Sequence, residues 1–426
     1  MLAVVLSVAV LGACTSAAPT PSPVPSTSVP PTPSPSLGPS AAVRRLVVVR
    51  PPPGGSLLVR GAYPRVDSAC HRADRPVLRA RYPGSLTAEI ADDGTIGLTI
   101  TLGFERYLQG IAEVPTSWPA AALDAQAIAA RSYALASTGW TGEGETLEDP
   151  ICSTTSCQVY RGIPVPPEPG FGRWVAAVRR TAGEILVYGG RPAETVYFST
   201  SKGRTLGNDE VFGSAPLPYL RPVEETDDGA SPTSRWTVAI PRRHLAVFLA
   251  TAELWPTDTR IDRAARRGDL IVVRGGGETR ELDVGEFRLA VNTWAPCLMP
   301  GRYPTLSARG TPLPVTIPSD WFSASERRGA LVVEGRGWGH GVGMVQWGAY
   351  GKARRGLSAG DILAAYYGGL RPRPFPQPGV IDVEVASGLT TLTVLPSAEG
   401  ARLDGEPLGS APLVVTGGDG LTVTPG

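Results

Sequence analysis

The most constraining feature of this chain is a glycine-rich segment in its last quarter. Seven of the seventeen residues from Gly335 to Gly351 are glycine, and between them stand aromatic residues, a glutamine and a histidine. Glycine is used where the backbone takes a positive φ or approaches another group closely. The segment therefore predicts a tightly folded loop that presents His340 and Gln346 beside flat aromatic faces such as Trp338, an arrangement suited to a sugar ring. A glycine-rich hairpin whose tryptophans only fill the core is the alternative.

A second motif combines a lone carboxylate with an alanine-rich helix. Glu113 is flanked by apolar residues, where an ionised side chain is costly unless it is used. Ser117 can cap a helix, Pro119 fits its first turn, and apolar residues follow at helical spacing, so we expect a helix over 117–137. Desolvation would raise the pKa of Glu113, as a general acid requires, whereas a nearby helix start would favour the anion. A glutamate in a solvated turn is the alternative.

Length and charge exclude some classes of function. A chain of 426 residues can form one large domain or two ordinary ones. The net charge is +1, without the basic excess of a nucleic-acid-binding protein or a long acidic run. We therefore expect no nucleic-acid partner.

The first residues have the pattern of an exported lipoprotein. Leu2 to Gly12 is apolar but too short to span a bilayer, and small residues precede Cys14. Residues 1–14 therefore predict a signal peptide that ends at a lipidated Cys14, with a plain signal peptide or a buried segment as alternatives. Residues 15–42 are rich in proline, serine and threonine and predict an extended tether. This places the protein outside the cytoplasm, anchored to the bacterial membrane only through its lipid and facing the cell wall.

The rest of the chain predicts an α+β fold with mixed sheets. Residues 43–59 and 85–104 contain β-branched runs, the second broken by the turn signal Asp92-Asp93-Gly94. A hairpin is expected over 184–198, with its second strand at 193–198. We assign residues 43–375 to the main domain, and we expect residues 376–426, which alternate β-branched residues with glycine turns, to form a small separate β module.

Both motifs resemble those of the SpoIID/LytB family, the stage II sporulation protein D and amidase-enhancer proteins. The resemblance rests on the glycine-rich run continuing through SAGDILAAYY, and on YLQGIAEVP followed by AQAIAARSYA. It covers roughly residues 98–372. It implies a lytic transglycosylase that cleaves peptidoglycan glycan strands between N-acetylmuramic acid and N-acetylglucosamine. Glu113 would be the catalytic acid and base, and no cofactor would be required.

The resemblance also implies a set of substrate-binding residues. Arg131 and Tyr133 match the family pattern on the helix, although Arg131 could equally form a buried ion pair. After the serine run Ser199-Thr200-Ser201, Lys202 and Arg204 depart from the family pattern. They would add positive charge to the lip of the substrate-binding groove. A structural, hydrogen-bonded role is the alternative for His340. The expected sugar-binding residues are Arg131, Tyr133, Ser199, Ser201, Trp338, His340 and Gln346.

The cysteines fit an oxidising compartment. Apart from Cys14 the chain has four cysteines, an even number with three possible pairings. Cys152 and Cys157 form the obvious local pair, which leaves Cys70 with Cys297. Some members of the family bind zinc beside the matching cysteines through histidines, but no histidine lies in this segment, so we expect a disulfide there, with zinc as the minor alternative.

Two other functions remain open. The domain could bind glycan without cleaving it and enhance a separate cell wall amidase, as the second family name implies. It could also be a wall-binding module whose last β segment recognises the wall. The presence of Glu113 argues against the latter.

Overall fold

The computed structural model describes residues 44–63, 78–144, 147, 149–165, 168–306, 310–409 and 411–426. The predicted signal peptide and tether, with Cys14 and Cys70, lie outside the described residues. Within them the chain forms an α+β fold, as the sequence predicts. Its helices are α1 (Phe104–Gln109), α2 (Ala120–Ser137), α3 (Phe171–Arg180), α4 (Asn208–Phe212), α5 (Arg242–Thr251), α6 (Val284–Leu298), α7 (Gln346–Arg354) and α8 (Ala359–Tyr366).

Two sheets and three helices surround the largest hydrophobic core. The strands of the first sheet are β1 (Leu46–Arg50), β4 (Ser85–Ile90), β5 (Ile96–Gly103), β6 (Ile151–Cys152), β19 (Val380–Leu389), β21 (Arg402–Leu403) and β22 (Glu406–Pro407). Those of the second are β2 (Leu57–Ala62), β3 (Leu78–Tyr82), β20 (Thr391–Pro396), β23 (Leu413–Thr416) and β24 (Thr422–Pro425). The seven-stranded sheet has the order β22-β21-β1-β4-β5-β19-β6, and the five-stranded sheet has the order β24-β23-β20-β2-β3. Their inward-facing side chains share one core with α1, α2 and α3.

The C-terminal residues do not form the separate module that the sequence predicts for residues 376–426. Strand β19 pairs with β5, β20 pairs with β2, and β21 pairs with β1. The two ends of the described chain therefore complete both sheets together. Alternating residues and glycine turns indicate that strands form, but they do not specify the partner strand, and N-terminal strands left without these partners would expose unpaired backbone.

Helix α2 lies between two hydrophobic cores. Ala122 and Ala130 belong to the core of the two large sheets, whereas Ala125, Ile128 and Ala129 pack in a second core with α8 and the glycine-rich segment. Small side chains on most sides of the helix allow this close double packing. The helix begins at Ala120, and Pro119 occupies the N-cap without a side-chain hydrogen bond. The prediction that Ser117 caps it is therefore wrong, because Ser117 lies too far upstream.

Residues 236–335 form an insertion in the main domain, with a hydrophobic core of its own. Its two ends are side by side, because Trp236 pairs with Gly335. Helices α5 and α6 cover two three-stranded sheets around this core. The strands are β11 (Trp236–Pro241), β12 (Arg263–Arg267), β13 (Leu270–Gly275), β14 (Glu278–Asp283), β15 (Phe322–Arg327) and β16 (Ala330–Gly335).

Several short strand pairs complete the fold. They include β7 (Glu184–Ile185), β8 (Val187–Tyr188), β9 (Arg191–Pro192), β10 (Tyr197–Phe198), β17 (Met344–Val345) and β18 (Arg373–Pro374). The expected strand at 193–198 is reduced to β10, which pairs in parallel with β17 rather than with its neighbour along the chain. This long-range pair positions the glycine-rich segment beside residues 197–199.

None of the helices in the described part of the chain is both long enough and apolar enough to cross a membrane.

Candidate active site

Glu113 lies where two open clefts meet. One cleft, of about 540 Å³, is walled by the serine run, the disulfide loop and the glycine-rich segment. The other, of about 670 Å³, runs over residues 114–116 and 161–165. Both are lined by Ala112, Glu113 and Arg161. A linear polymer could therefore extend from Glu113 in two directions.

Backbone pairing fixes the position of Glu113. The segment that follows α1 runs alongside residues 159–161, with Ala112 N–H donating to the Val159 carbonyl at 2.9 Å and Arg161 N–H donating to the Gly110 carbonyl at 2.9 Å. Between them, the Val159 N–H donates to Glu113 Oε1 at 2.6 Å. This backbone N–H therefore fixes the position of the Glu113 carboxylate in the cleft.

Burial dominates the electrostatics of Glu113. Desolvation raises its pKa, while the Val159 N–H, the Gln346 and Tyr197 side chains and the charge of Arg161 lower it in part. The net result is a pKa above that of an ordinary glutamate. Such a group keeps its proton to a higher pH than an ordinary glutamate, and its anion still finds hydrogen-bond donors after the proton is lost.

Two polar side chains of this site, those of Tyr197 and Gln126, were not singled out by the sequence analysis. The Tyr197 hydroxyl is buried and, among the described residues, makes no hydrogen bond of normal geometry. Burial, and then the charge of Glu113, raises its pKa well above the usual value, so it stays protonated and can donate. Gln346 Nε2 donates to Gln126 Oε1 at 3.4 Å, which braces Gln346 beside the carboxylate. The sequence signal that could have identified Gln126 is that it is the single glutamine of the alanine-rich helix.

The glycine-rich segment forms a tight loop whose backbone lies very close to neighbouring residues. Gly337, Gly339, Gly341 and Gly343 all have positive φ. At Gly343 any Cβ would overlap the carbonyl oxygen of Val196. Only glycine therefore permits the close approach that places β17 against β10.

His340 holds this loop together instead of offering a free nitrogen to a sugar. Its Nδ1 accepts from the Val342 N–H at 3.1 Å, and its Nε2 lies 2.9 Å from the Tyr197 carbonyl oxygen. This pattern assigns the proton to Nε2, so the neutral ring uses both nitrogens within the protein. The ring also packs against Phe198 and Phe212. Its expected role as a sugar-binding residue is corrected to a structural one in the cleft wall.

The pKa of His340 makes stability depend on pH. Desolvation lowers this pKa to about 4, although the Tyr197 carbonyl opposes the shift. The unfolded chain binds the proton near the ordinary value of about 6.5, so the stabilising contribution is present above that pH and is lost as pH falls towards 4. Between about pH 7 and about pH 4.5, we expect His340 to remove about 2 kcal/mol of unfolding free energy. Denaturant titration of the unsubstituted protein and His340→Asn at both pH values measures this. An equal acid-induced loss in both proteins would contradict it.

Arg131 is not in the cleft. Its side chain is 0% exposed and forms a two-point ion pair with Glu105, with Nε–Oε1 at 2.7 Å and Nη2–Oε2 at 2.9 Å. It also donates to the backbone carbonyls of Val178 and Glu184. The expectation that Arg131 binds substrate is wrong, and its alternative, a buried ion pair, is what the structure contains.

The remaining predicted sugar-binding residues divide into two groups. Ser201 is buried and its hydroxyl donates to Asp228 at 2.8 Å, outside the cleft. Burial raises the pKa of Asp228, while these hydrogen bonds lower it in part. The residues that do line the cleft with Glu113 are Tyr133, Ser199, Trp338 and Gln346.

A disulfide joins Cys152 and Cys157, as predicted, beside the cleft wall. Because the two sulfur atoms are bonded to each other, neither is a thiolate ligand, so these residues do not fit a zinc site. Among the described residues, no group of three or more His, Cys, Asp or Glu side chains is placed to hold a metal. The predicted pairing of Cys70 with Cys297 stays a prediction, because Cys70 lies outside the described residues.

The amino-acid sequence of this chain is similar to those of several known proteins. Residues 92–188 match the family described as SpoIID, stage II sporulation protein. An uncharacterized protein of Brachyspira hyodysenteriae is 31% identical over 294 residues, which cover 68% of this chain and 71% of that protein. Stage II sporulation protein D of Bacillus subtilis is 29% identical over 62% of this chain and 73% of its own length.

A further relative is much longer than the matched region. The amidase enhancer of Bacillus subtilis is 27% identical over 293 residues, which cover 60% of this chain but only 38% of the enhancer. The chain therefore belongs to the SpoIID/LytB family.

Proposed function

We propose that this domain is a peptidoglycan lytic transglycosylase that cuts glycan strands between N-acetylmuramic acid and N-acetylglucosamine. Membership of the SpoIID/LytB family supports a cell-wall-related role. The observation that carries the finer proposal is the position of Glu113, a carboxyl group of raised pKa at the junction of two open clefts. A strand lying through both clefts would present an internal bond to this group.

The reaction needs one acid and base. Glu113 donates its proton to the bridging oxygen as the bond to the muramyl C1 breaks, and the N-acetylglucosamine part leaves as an alcohol. The Glu113 carboxylate then takes the proton of the muramyl C6 hydroxyl, whose oxygen bonds to C1. This gives a 1,6-anhydro ring, returns the proton to Glu113 and consumes no water.

The surroundings of Glu113 suit this exchange of a proton. The Val159 N–H, the Gln346 amide and the Tyr197 hydroxyl face the carboxylate and would stabilise the anion formed midway. Burial opposes them and keeps the neutral acid accessible. Trp338, with 36% of its surface exposed in the cleft wall, offers an aromatic face to a sugar ring.

A hydrolase would need a second carboxylate, and the cleft contains one candidate. Glu194 lines the same cleft and is exposed, and its charge and that of Glu113 both act on Tyr133. Hydrolysis with two carboxylates uses one to activate water or attack the sugar, and leaves a reducing end. The proposed route gives Glu194 no such part, so the product and the Glu194→Gln variant distinguish the two mechanisms.

The rate should depend on pH through Glu113. Because the protonated acid starts the reaction, kcat/KM is expected to fall as pH rises through the pKa of Glu113. That pKa is raised, so the fall comes at higher pH than for a solvent-exposed glutamate. The pH profile of anhydro-end formation on peptide-free strands measures this. A rate that increases from acidic to neutral pH would contradict the assignment of Glu113 as the acid.

A non-catalytic enhancer is the second candidate function, favoured by the similarity to the amidase enhancer. In that case the clefts would bind glycan strands and the domain would stimulate a separate cell wall amidase. The two candidates predict different outcomes with purified protein alone.

Product analysis tests the proposal. The domain, cut after the tether, is incubated with peptide-free and peptide-bearing strands, and the ends are identified by mass spectrometry. Anhydro-muramyl ends support the transglycosylase, and the comparison of the two strand types shows which is preferred. New reducing ends would indicate hydrolysis. Strand binding without any new end would overturn the proposal and favour the enhancer.

We also propose that the protein acts outside the cytoplasm, held to the membrane by a lipid on Cys14. The disulfide between Cys152 and Cys157 supports an oxidising compartment. Its partners would be peptidoglycan strands and, under the second candidate function, a cell wall amidase.

A further inference from the structure

A third groove, of about 640 Å³, is lined in part by the first residues of the glycine-rich segment, Gly335 and Arg336. It is formed where the insertion meets the main domain. Three exposed cations line it: Lys202 beside the serine run, Arg235 at the start of the insertion and Arg336 at its end. The Lys202 ammonium lies 5.3 Å from the centre of the Trp321 ring, which holds this charge at the groove.

Three positive charges of this groove have no partner in the described part of the chain. There, Lys202, Arg235 and Arg336 make no side-chain hydrogen bond or ion pair. The two carboxylates that also line the groove are already paired: Asp320 with Arg288 at 3.1 Å and Glu334 with Arg327 at 2.8 Å.

The fourth cation of the groove is used internally. Arg266 donates to the backbone carbonyls of Gly268, Asp320 and Phe322 and lies 3.7 Å from Asp269. Three uncompensated cations therefore converge in one concave site, although the whole chain carries a net charge of only +1. Such a site favours an anionic ligand.

The groove neighbours the candidate active site through three links. Arg336 in the groove and Trp338 in the Glu113 cleft are separated by a single glycine. Ser199 and Lys202 lie on the same short segment, in the cleft and the groove respectively. The rings of Phe198 in the cleft and Trp321 in the groove contact each other at 6.3 Å between centroids. The groove and the cleft are therefore adjacent, and a strand that continued past this end of the cleft would reach these cations.

We propose that this groove is a carboxylate-recognising subsite that binds the lactyl carboxylate of a muramyl residue remote from the cleaved bond. This inference rests on the proposed function, because it takes the same strand as ligand. A guanidinium presents paired donors that match a carboxylate, and Lys202 adds a third positive charge. The groove favours strands with free lactyl carboxylates, and the proximity to Glu113 favours a glycan strand over a separate phosphate-containing polymer.

Binding to matched strands tests this subsite. The Glu113→Gln variant serves as the parent, so that strands stay intact, and their length is checked by mass spectrometry after each titration. The probes are peptide-free strands with free lactyl carboxylates and the same strands with these groups converted to methyl amides. We expect the parent to bind the acidic strand about tenfold more tightly, as for loss of a charge-assisted hydrogen bond.

Removing the two guanidinium groups of the groove should remove the preference for the acidic strand. An Arg235→Gln/Arg336→Gln pair added to the parent is expected to bind both strands equally. Adding Arg274→Gln, an exposed arginine on β13 of the same insertion, should leave the tenfold difference. Thermal unfolding of each variant shows whether it is folded, which is expected because all three side chains are exposed.

Three outcomes would overturn the proposal. The first is equal binding of the acidic and amidated strands by the parent, and the second is a preference that survives the double substitution. The third is cation-dependent binding of poly(glycerol phosphate) without any preference among the glycan strands, which would assign the groove to a different polymer. Binding is measured without turnover, so absence of anhydro ends in the product assay would reject the transglycosylase independently of this result.

Discussion

Replacing Glu113 with glutamine is expected to slow formation of anhydro-muramyl ends by about 100- to 10,000-fold, the range typical for loss of a general acid and base. Glutamine has nearly the same shape, and its carbonyl can still accept from the Val159 N–H that bonds to Oε1. The backbone pairing around residue 113 should therefore persist. The rate of new anhydro ends, measured by mass spectrometry on peptide-free strands, gives the effect directly.

The matched control is Glu194→Gln, which changes the other carboxylate of the same cleft. Because Glu194 is exposed and has no step in the proposed route, we expect this variant to keep most of its activity. A large loss in both variants, with reducing ends as the product, would instead indicate a hydrolase with two carboxylates. Full activity in Glu113→Gln would remove Glu113 from the mechanism altogether.

Replacing Arg131 with methionine is expected to lower the free energy of unfolding by about 2–4 kcal/mol. This is below the upper end for a fully buried ion pair because Glu105 is 35% exposed. Arg131 is completely buried, and its loss would leave Glu105 without its ion-pair partner and the Val178 and Glu184 carbonyls without these donors. Denaturant titration at neutral pH measures the change.

Arg180→Met is the control for Arg131→Met. Arg180 pairs with Asp124 at 2.6 Å, but its side chain is 48% exposed. A pair of this kind contributes less than about 1 kcal/mol. If Arg131→Met unfolds as easily as Arg180→Met, the ion pair does not stabilise the fold. If its stability is unchanged but strand cleavage is lost, Arg131 acts on substrate, as the sequence resemblance suggested.

Local sequence signals predicted the positions of helices and strands better than they predicted which strands pair with each other. The alanine-rich helix and the strands over 85–104 form close to where the sequence predicts them, because turns and periodicity act within a few residues. The partners of residues 376–426 could not be predicted this way. Their strands complete sheets that begin at the other end of the chain, and alternation does not specify which open edge a strand will join.

The candidate site shows the same division. Glu113 stood out because a carboxylate among apolar residues is costly, and Gln346 because of its place in the glycine-rich segment. Tyr197 and Gln126 did not stand out, since each lies in an ordinary strand or helix. Only the packing of α2 and β10 brings Tyr197 to Glu113 and Gln126 to Gln346. His340 and Arg131 are prominent in sequence, yet their polar atoms are used within the protein.

The sequence by itself determined the α+β class, the family and the candidate catalytic carboxylate. Composition, turn residues and two long motifs carry that information locally. Only the tertiary structure decided which polar side chains face the cleft and which are buried partners. Burial and charge compensation depend on residues far apart in the chain, so the cationic groove of Lys202, Arg235 and Arg336 exists only where the insertion returns to the main domain.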